Sequence, residues 1–135
     1  MLEIGIKGKQ EITVTKEQTA KVLGSGTLEV FATPAMIALM ENTAYRSIEE
    51  YLEAGCGTVG TEMNVKHVSA TPIGMKVICE TELIEVDGRK LTFEVKAYDE
   101  AGIIGEGIHQ RFIIDEEKFQ AKTNAKLKGD YYERD

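Results

Sequence analysis

The sequence has no tryptophan, only two histidines, and two cysteines that form no CxxC pair. Such a set favours neither a disulfide framework nor a structural zinc site. Long apolar runs are also missing, and the first residues lack the apolar core of a signal peptide, so we expect a cytoplasmic protein with reduced thiols and no membrane partner. Positive charge is scarce: 16 Lys and Arg stand against 23 Asp and Glu, a net charge of −7. Because phosphate backbones bind basic surfaces, we expect no nucleic acid partner.

The composition is that of one globular domain. The chain has 135 residues, of which 42% are apolar and 29% charged. That length is typical of a single domain, which we predict over residues 1–135. The charged tail is predicted to fray from about residue 126 onward.

Alternation and turn residues predict a long helix and an antiparallel sheet. The helix is predicted from Pro34 to Ala54, with Thr33 as N-cap and Gly55 as the stop residue. Strands are predicted over 11–15, 58–68, 76–86, 90–98 and 103–114, with a flexible connection over 21–27. The last four strands would form a meander, with a hairpin turn at residues 87–88 and a second turn at residues 99–102. This pattern indicates an α+β fold whose uncovered sheet face and edges favour a homodimer, which could pair into a tetramer.

One acidic residue breaks the amphipathic pattern of the predicted helix. At about 100° per residue, the apolar side chains fall within about 60° of Ile37 on either side, and Glu41 falls at about 40°, inside this stripe. Burying an unpartnered carboxylate is costly, so Glu41 is a candidate functional group. A shifted helix phase, or a cation paired with Glu41 at a subunit interface, would also explain the pattern.

A histidine and a threonine are predicted close to this glutamate. The period of two places one face of the second strand toward the helix, with His67 at its end. The residues of that face are Val59, Thr61, Met63, Val65 and His67. An inward histidine facing an inward glutamate is a candidate acid–base pair. Thr33 lies about two turns before Glu41, at a helix end whose N–H groups and dipole suit an oxyanion.

Four other signals have simpler interpretations. Residues 55–60 spell GxGxxG, but the string follows a helix and opens a strand, the reverse of a dinucleotide fingerprint. Cys56 is predicted to be a turn thiol rather than a nucleophile, because the sequence places no base beside it. His109 alternates with Arg111 opposite Ile108 and Phe112, which predicts a surface or interface residue. Arg111 has two interpretations: a solvated strand residue, or a contact to a carboxylate or phosphate of a ligand. No metal site and no cofactor are predicted.

Several motifs follow one another along the chain. The segment EVFATPAMIALME over 29–41 is followed by VGT at 59–61 and by His67. Further motifs are ATP at 70–72, VDGR at 86–89, GEGIHQR at 105–111 and EKFQAK at 117–122. Together they resemble the hotdog-fold thioesterases of the fluoroacetyl-CoA thioesterase group over nearly the whole chain. The resemblance implies a dimer in which a long helix is wrapped by a bent antiparallel sheet, with acyl-CoA hydrolysis at the dimer interface.

The resemblance also implies roles for individual residues. Thr33, Glu41 and His67 match the spacing of the family's catalytic triad. In that case Glu41 attacks the thioester directly, or activates Thr33 or a water, while His67 serves as general acid and base. Contacts to the substrate are implied for Phe31, Gly60 and Arg111, and the Gly60 N–H would polarise the carbonyl. A non-catalytic module that binds acyl-CoA or another small ligand is the alternative, and a hotdog dehydratase is a weaker one.

The stretch before the helix departs from the fluoroacetyl-specific enzyme. That enzyme carries a phenylalanine-bearing lid, whereas residues 22–28, VLGSGTL, contain no aromatic side chain. We therefore expect a more open pocket mouth and weak discrimination between fluoroacetyl and acetyl groups.

Overall fold

The structure, a computed structural model, describes residues 2–129. Its helices are α1 (Ala20–Leu23), α2 (Thr33–Ile48) and α3 (Glu116–Asn124). Its strands are β1 (Lys7–Thr13), β2 (Cys56–His67), β3 (Lys76–Asp87), β4 (Lys90–Asp99) and β5 (Gly102–Asp115). Single 3₁₀ turns lie at Lys16–Gln18, Glu49–Tyr51 and Ala125–Lys128. Of the tail predicted to fray, residues 126–128 are in the last of these turns and residues 130–135 lie outside the described part.

The five strands form one antiparallel sheet in the order β1-β3-β4-β5-β2. The α+β prediction is confirmed, but the four-strand meander is wrong for β2, which pairs with β5 instead of β3. The hairpin residues at 87–88 and 99–102 join β3, β4 and β5 as predicted. Residues 68–75 form no hairpin between β2 and β3, although they include a turn closed by the Met75 N–H and the Pro72 carbonyl, and they carry the chain across the sheet to the opposite side of β4 and β5. As a result β2 is an edge strand.

The three largest differences from the predicted elements lie in the first half of the chain. The long helix ends at Ile48 rather than Ala54, and the chain then makes a 3₁₀ turn before Gly55, whose φ of 84° requires glycine. Residues 20–23 are helical rather than a flexible connection, because the Thr19 hydroxyl accepts from the Val22 N–H and caps the turn. The first strand begins at Lys7, four residues before the predicted start at residue 11.

The buried side of α2 packs on the inner face of the sheet. Its buried residues are Met36, Leu39, Met40, Thr43, Ala44 and Ile48. They meet a core of strand residues that includes Val77, Leu83, Leu91, Phe93, Val95 and Ile104. The centre of this stripe is rotated by about 70° from the predicted one, because the prediction left out Met36, Leu39 and Thr43 and counted Leu52, which lies beyond the true helix end. Glu41 therefore lies at the margin of the buried stripe, as the shifted-phase alternative required.

Candidate active site

A row of four side chains follows one side of α2. Thr33, Ile37, Glu41 and Tyr45 are spaced by four residues and so share a helix face. Thr33 contacts His67 of β2, while Glu41 and Tyr45 contact Arg111 of β5. We call the space between this row and the edge of the sheet the α2–β2 groove. Its two polar positions, at Thr33 and Glu41, are separated along the helix by about 12 Å.

At the first position, Thr33 and His67 form a direct hydrogen bond. Thr33 Oγ1 lies 2.7 Å from His67 Nδ1. The prediction that Thr33 is the N-cap is wrong, because Ala32 is the N-cap residue and Thr33 is the first residue of the helix, before Pro34. Proline suits this position since its missing N–H is not needed there. The Thr33 hydroxyl is thus available to the imidazole.

The other nitrogen of His67 is buried without a hydrogen-bond partner among residues 2–129. Burial is the main cause that lowers the pKa of His67 below 6.5, and the backbone of Ser69 partly opposes the shift. The ring lines a cavity of about 290 Å³. The walls of this cavity are Ala20, Ser25, Val30, Phe31, Thr33, His67, Val68, Ser69 and Ala70. A neutral imidazole in this position can exchange a proton with a ligand in the cavity.

At the second position, the Glu41 carboxylate lies over Gly60 and beside Arg111. Glu41 Oε2 is 4.0 Å from Arg111 Nη1, and the Glu41 side chain remains 42% exposed. A Cβ atom on residue 60 would lie 2.7 Å from Glu41 Oε2, closer than side chains tolerate. Glycine at position 60 is therefore required for the carboxylate to occupy this place.

A β-bulge at Thr61 gives Gly60 its orientation. Gly60 pairs with Arg111 and Glu62 with Gln110, so Thr61 is the extra residue. Its hydroxyl donates to the Gln110 carbonyl at 3.2 Å. Because the bulge reverses the alternation, Gly60 faces the helix together with Met63 and His67, and the predicted single face from Val59 to His67 is wrong. A bulge of this kind leaves no clear signal in the alternation of polar and apolar residues.

Arg111 is buried and bound on several sides. It is 6% exposed, and its Nε and Nη2 donate to the Thr58 hydroxyl at 2.8 Å and the Thr58 carbonyl at 3.0 Å. Its Nη1 donates to His109 Nε2 at 3.1 Å, and its guanidinium lies 5.6 Å from the centre of the Tyr45 ring. Burial is the main cause that lowers the pKa of Arg111, while Glu41 and then Tyr45 oppose the shift. Thr58 and Tyr45 are contacts that the sequence analysis missed.

His109 is buried, with only 1% of its surface exposed, so its predicted surface position is wrong. It pairs with Met63 on the inner face, whereas Phe112 is 40% exposed. The apolar residues Ile108 and Phe112 misled the prediction because they lie on the outer face of β5. The glycines of β5 were the signal available in the sequence. A Cβ on Gly105 would lie 2.6 Å from Met36 Sδ, so Gly105 faces the helix, and every second residue after it, including His109 and Arg111, faces the same way.

The predicted residues thus fall into two groups within one chain. His67 bonds to Thr33, about two helical turns from Glu41, and does not face Glu41 as predicted. Gly60 and Arg111 group with Glu41. Phe31 is 1% exposed and belongs to the wall of the Thr33–His67 cavity. Across residues 2–129, no three His, Cys, Asp or Glu side chains are grouped as a metal ion would require, and no helix has the length and apolar character to cross a membrane.

Solved structures of other proteins share this architecture. The hot-dog-like protein from Thermanaerovibrio acidaminovorans is 19% identical with a TM-score of 0.85, over 98% of this chain and 96% of that chain. A Thermus thermophilus protein described as a thioesterase superfamily member is 27% identical with a TM-score of 0.85, over 96% of this chain and 95% of that chain. The fold and its groove therefore define a hotdog-fold protein of the thioesterase class.

Closer relatives identify the family within this class. The model of the fluoroacetyl-CoA-specific thioesterase family matches residues 14–117. The fluoroacetyl-CoA thioesterase of Streptantibioticus cattleyicolor is 46% identical over 98 residues, which are 73% of this chain and 70% of that protein. The structure of the fluoroacetyl-CoA thioesterase FlK has a TM-score of 0.89 at 37% identity, over 93% of this chain and 98% of that chain. The chain belongs to the fluoroacetyl-CoA-specific thioesterase family and is a thioester hydrolase.

Proposed function

We propose that this enzyme hydrolyses short-chain acyl-CoA thioesters to the free acid and CoA. The observation that carries the proposal is the 2.7 Å hydrogen bond between Thr33 and His67, two residues that line one cavity, with His67 Nε2 left without a partner among the described residues. The cavity of about 290 Å³ is at the lower end of the range for small-molecule pockets, so it suits a short acyl group.

Three chemical tasks are assigned to the groove. Thioester hydrolysis needs an activated nucleophile, donors for the carbonyl oxygen, and a proton for the departing thiolate. We assign the nucleophile to Glu41 or to a water that it activates, and the proton transfer to His67. Activation of the Thr33 hydroxyl by Glu41 does not fit one chain, because that hydroxyl is bonded to His67 about two helical turns from Glu41. The Gly60 N–H would polarise the carbonyl, and Phe31 would form part of the acyl pocket. A direct contact of Arg111 with the substrate stays a prediction, since its donors are directed to protein groups.

Two routes differ in the bond that Glu41 forms. In one, a Glu41 oxygen bonds to the carbonyl carbon as the C–S bond breaks, and water later hydrolyses the resulting anhydride. In the other, Glu41 takes a proton from water, whose oxygen bonds to the carbonyl carbon as the C–S bond breaks. In both, the CoA thiolate receives a proton by way of His67. Since Glu41 and His67 of one chain lie about two helical turns apart, the two groups that meet one thioester would come from different protomers of the proposed dimer. Heavy-oxygen water distinguishes the routes, because only the first one places label in Glu41.

A homodimer would complete the groove. In one chain the groove runs along the edge strand β2, where residues 60–62 are exposed and Glu41 is half-exposed. A second copy on this edge would cover the carboxylate and continue the sheet, which removes an unpaired edge. Two such dimers could pair into a tetramer. A cytoplasmic location agrees with Cys56 and Cys79, which are both free thiols.

Thiol release from a panel of acyl-CoAs of increasing chain length tests this function. Wild-type protein is expected to release CoA fastest from the short members. Thr33→Val, which keeps the side-chain shape and removes the hydroxyl, should lower kcat/KM by about 100-fold or more. Thr43→Val is the matched control, because its hydroxyl bonds to the Leu39 carbonyl on another side of the same helix.

The outcome that contradicts the proposal is specific. If no acyl-CoA in the panel is hydrolysed while one of them raises the Tm, the protein is a binding module and the hydrolytic assignment fails. Equal activity of Thr33→Val and Thr43→Val would remove Thr33 from the site.

A further inference from the structure

A second histidine lies beneath the Glu41 position and has no task in the chemistry described above. His109 is 1% exposed, and its ring stacks on Phe93 with the two ring centres 6.2 Å apart. Its Nδ1 lies 2.8 Å from the Glu62 carbonyl oxygen, next to the bulge at Thr61. Its Nε2 lies 3.1 Å from Arg111 Nη1. Burying an imidazole beside an arginine costs free energy, which its two hydrogen bonds have to offset. Such an arrangement suggests that His109 has a role.

The two partners determine the protonation state of this ring. A backbone carbonyl only accepts, so His109 Nδ1 carries the proton and donates it to Glu62. A guanidinium only donates, so His109 Nε2 presents a lone pair to Arg111. The ring is therefore the neutral Nδ1–H tautomer, and the hydrogen bonds run in one direction from Arg111 through His109 to the bulge.

Charged and titratable groups approach His109 from two elements. Arg111 lies beside it on β5, Glu41 approaches from α2, and Tyr45 of α2 contacts the same guanidinium. Burial is the largest cause that lowers the pKa of His109. The hydrogen bond to the Glu62 backbone opposes this shift, the charge of Arg111 adds to it, and the charge of Glu41 opposes it. The neutral state that the hydrogen bonds require is thus also the favoured one.

Glu41 is the neighbour of the Arg111 guanidinium that has no other hydrogen bond or ion pair among the described residues. The Thr58 hydroxyl and carbonyl bind its Nε and Nη2, and His109 binds its Nη1. The same Nη1 is the atom that lies 4.0 Å from Glu41 Oε2. His109 therefore controls the guanidinium atom that meets the carboxylate.

We propose that His109 is a positioning residue for hydrolysis, whose Nε2 lone pair holds Arg111 Nη1 where it orients the Glu41 carboxylate over Gly60. The proposal rests on the hydrolytic function proposed above. It assigns to Arg111 a role through Glu41, and to the β-bulge the role of supplying the carbonyl that fixes the His109 tautomer.

Two substitutions separate the two hydrogen bonds of His109. In His109→Gln the amide oxygen can occupy the place of Nε2 and accept from Arg111, whereas the bond to Glu62 is lost. In His109→Asn the amide nitrogen can replace Nδ1 and donate to Glu62, whereas Arg111 loses its acceptor. We expect His109→Asn to lower kcat by about 10- to 100-fold with little change in KM, since small displacements of catalytic groups have effects of this size. His109→Gln should retain several-fold more activity than His109→Asn.

A double-mutant comparison shows whether His109 acts through Glu41. In the Glu41→Gln background, His109→Asn should cause no further loss of kcat, because the carboxylate it positions is absent. Val77→Ala is the control for general destabilisation: it is fully buried in β3, at the far end of the sheet from Arg111. Equal losses in the two His109 variants, or a loss that persists in the Glu41→Gln background, would overturn the proposal.

A readout without substrate separates this proposal from the proposed function. The Arg111 Nη1–H resonance should be protected from solvent exchange in wild type and His109→Gln and lose protection in His109→Asn, while the Nε–H, which donates to Thr58, stays protected in all three. If that pattern holds in a protein that releases no CoA from any acyl-CoA, the hydrolytic function fails while the positioning of Arg111 stands. If protection is equal in the two variants, the positioning role is wrong whatever the activity.

Discussion

The two polar positions of the α2–β2 groove are built in opposite ways. Thr33 and His67 share one direct hydrogen bond, and the remaining imidazole nitrogen has no partner beside the cavity. Glu41, in contrast, lies over a glycine and beside an arginine whose three side-chain nitrogens are each hydrogen-bonded to Thr58 or His109. Unsatisfied groups are suited to exchange protons with a ligand, whereas a satisfied network is suited to hold a charge in place. The contrast assigns proton transfer to the first position and charge placement to the second.

The placement of Glu41 is tested most strongly by a methyl group at position 60. Gly60→Ala puts a Cβ 2.7 Å from Glu41 Oε2, and we expect the carboxylate to move and kcat/KM to fall by about 100-fold. Because the carboxylate is the flexible end of its side chain, the loss of Tm should stay within a few degrees. Steady-state kinetics and a thermal melt measure the two effects.

Gly57→Ala is the matched control in the same strand. Its Cβ would meet the Glu116 carboxylate at 2.5 Å, so it displaces a carboxylate that has no part in the proposed chemistry. Its kcat/KM should equal that of wild type. Similar losses in the two alanine variants would mean that strand disturbance, rather than displacement of Glu41, reduces activity.

The cavity beside Thr33 has little aromatic cover, which predicts weak discrimination between fluoroacetyl-CoA and acetyl-CoA. From residues 20–28, which precede the long helix, Ala20 and Ser25 line the cavity. Phe31 is the only Phe, Tyr or Trp among the described lining residues. A hydrophobic pocket separates such similar acyl groups by at most about 1–3 kcal/mol. We expect kcat/KM for fluoroacetyl-CoA over acetyl-CoA to exceed the ratio of their hydroxide-catalysed rates by about 100-fold at most.

An aromatic side chain in that segment provides the comparison. Ser25→Phe should increase the corrected ratio if the missing aromatic cover is the cause of weak selection. A wild-type preference of several orders of magnitude after the correction would contradict this account of the cavity.

The smallest expected effect concerns stability at mildly acidic pH. The pKa values of His67 and His109 are both lowered from 6.5 in the folded protein, mainly by burial. The unfolded chain therefore binds more protons below pH 6.5, and the free energy of unfolding should decrease as the pH falls through this range. Urea midpoints measured at several pH values should show a shallower decrease in His67→Gln and in His109→Gln than in wild type. If the wild-type free energy of unfolding instead rises toward lower pH relative to both variants, the predicted direction of the pH dependence is wrong.

The sequence predicted the elements better than their arrangement. The hairpin residues at 87–88 and 99–102 give β3, β4 and β5, because short turns have strong local chemistry. The position of β2 depends on a pairing with β5 that is distant in the chain, so no local signal predicts it. The helix phase was wrong because the buried Met36, Leu39 and Thr43 were left out of the stripe and Leu52, after the helix end, was counted in it. These errors placed Glu41 inside the predicted core.

The candidate site was predicted in part for similar reasons. The helix and strand patterns singled out Thr33, Glu41 and His67, and the resemblance to known thioesterases gave these residues and Gly60 their expected roles. The bonding of His67 to Thr33, and the burial of His109 and Arg111, depend on the bulge at Thr61 and on the inner orientation of β5. Apolar Ile108 and Phe112 on the outer face concealed that orientation, and only the glycines of β5 indicated it.

The central claim is that the Thr33–His67 position and the Glu41 position act on one bound thioester; since they lie about 12 Å apart along α2 in one chain, they would be contributed by different protomers of the proposed dimer. A double-mutant cycle of Glu41→Gln and His67→Gln on kcat/KM for the best short acyl-CoA tests it directly. If both groups serve the same reaction, the double variant should be about as impaired as the worse single variant, since residues that act as a unit are strongly non-additive. Losses that multiply in full in the double variant would show that the two positions act independently, and would contradict the account.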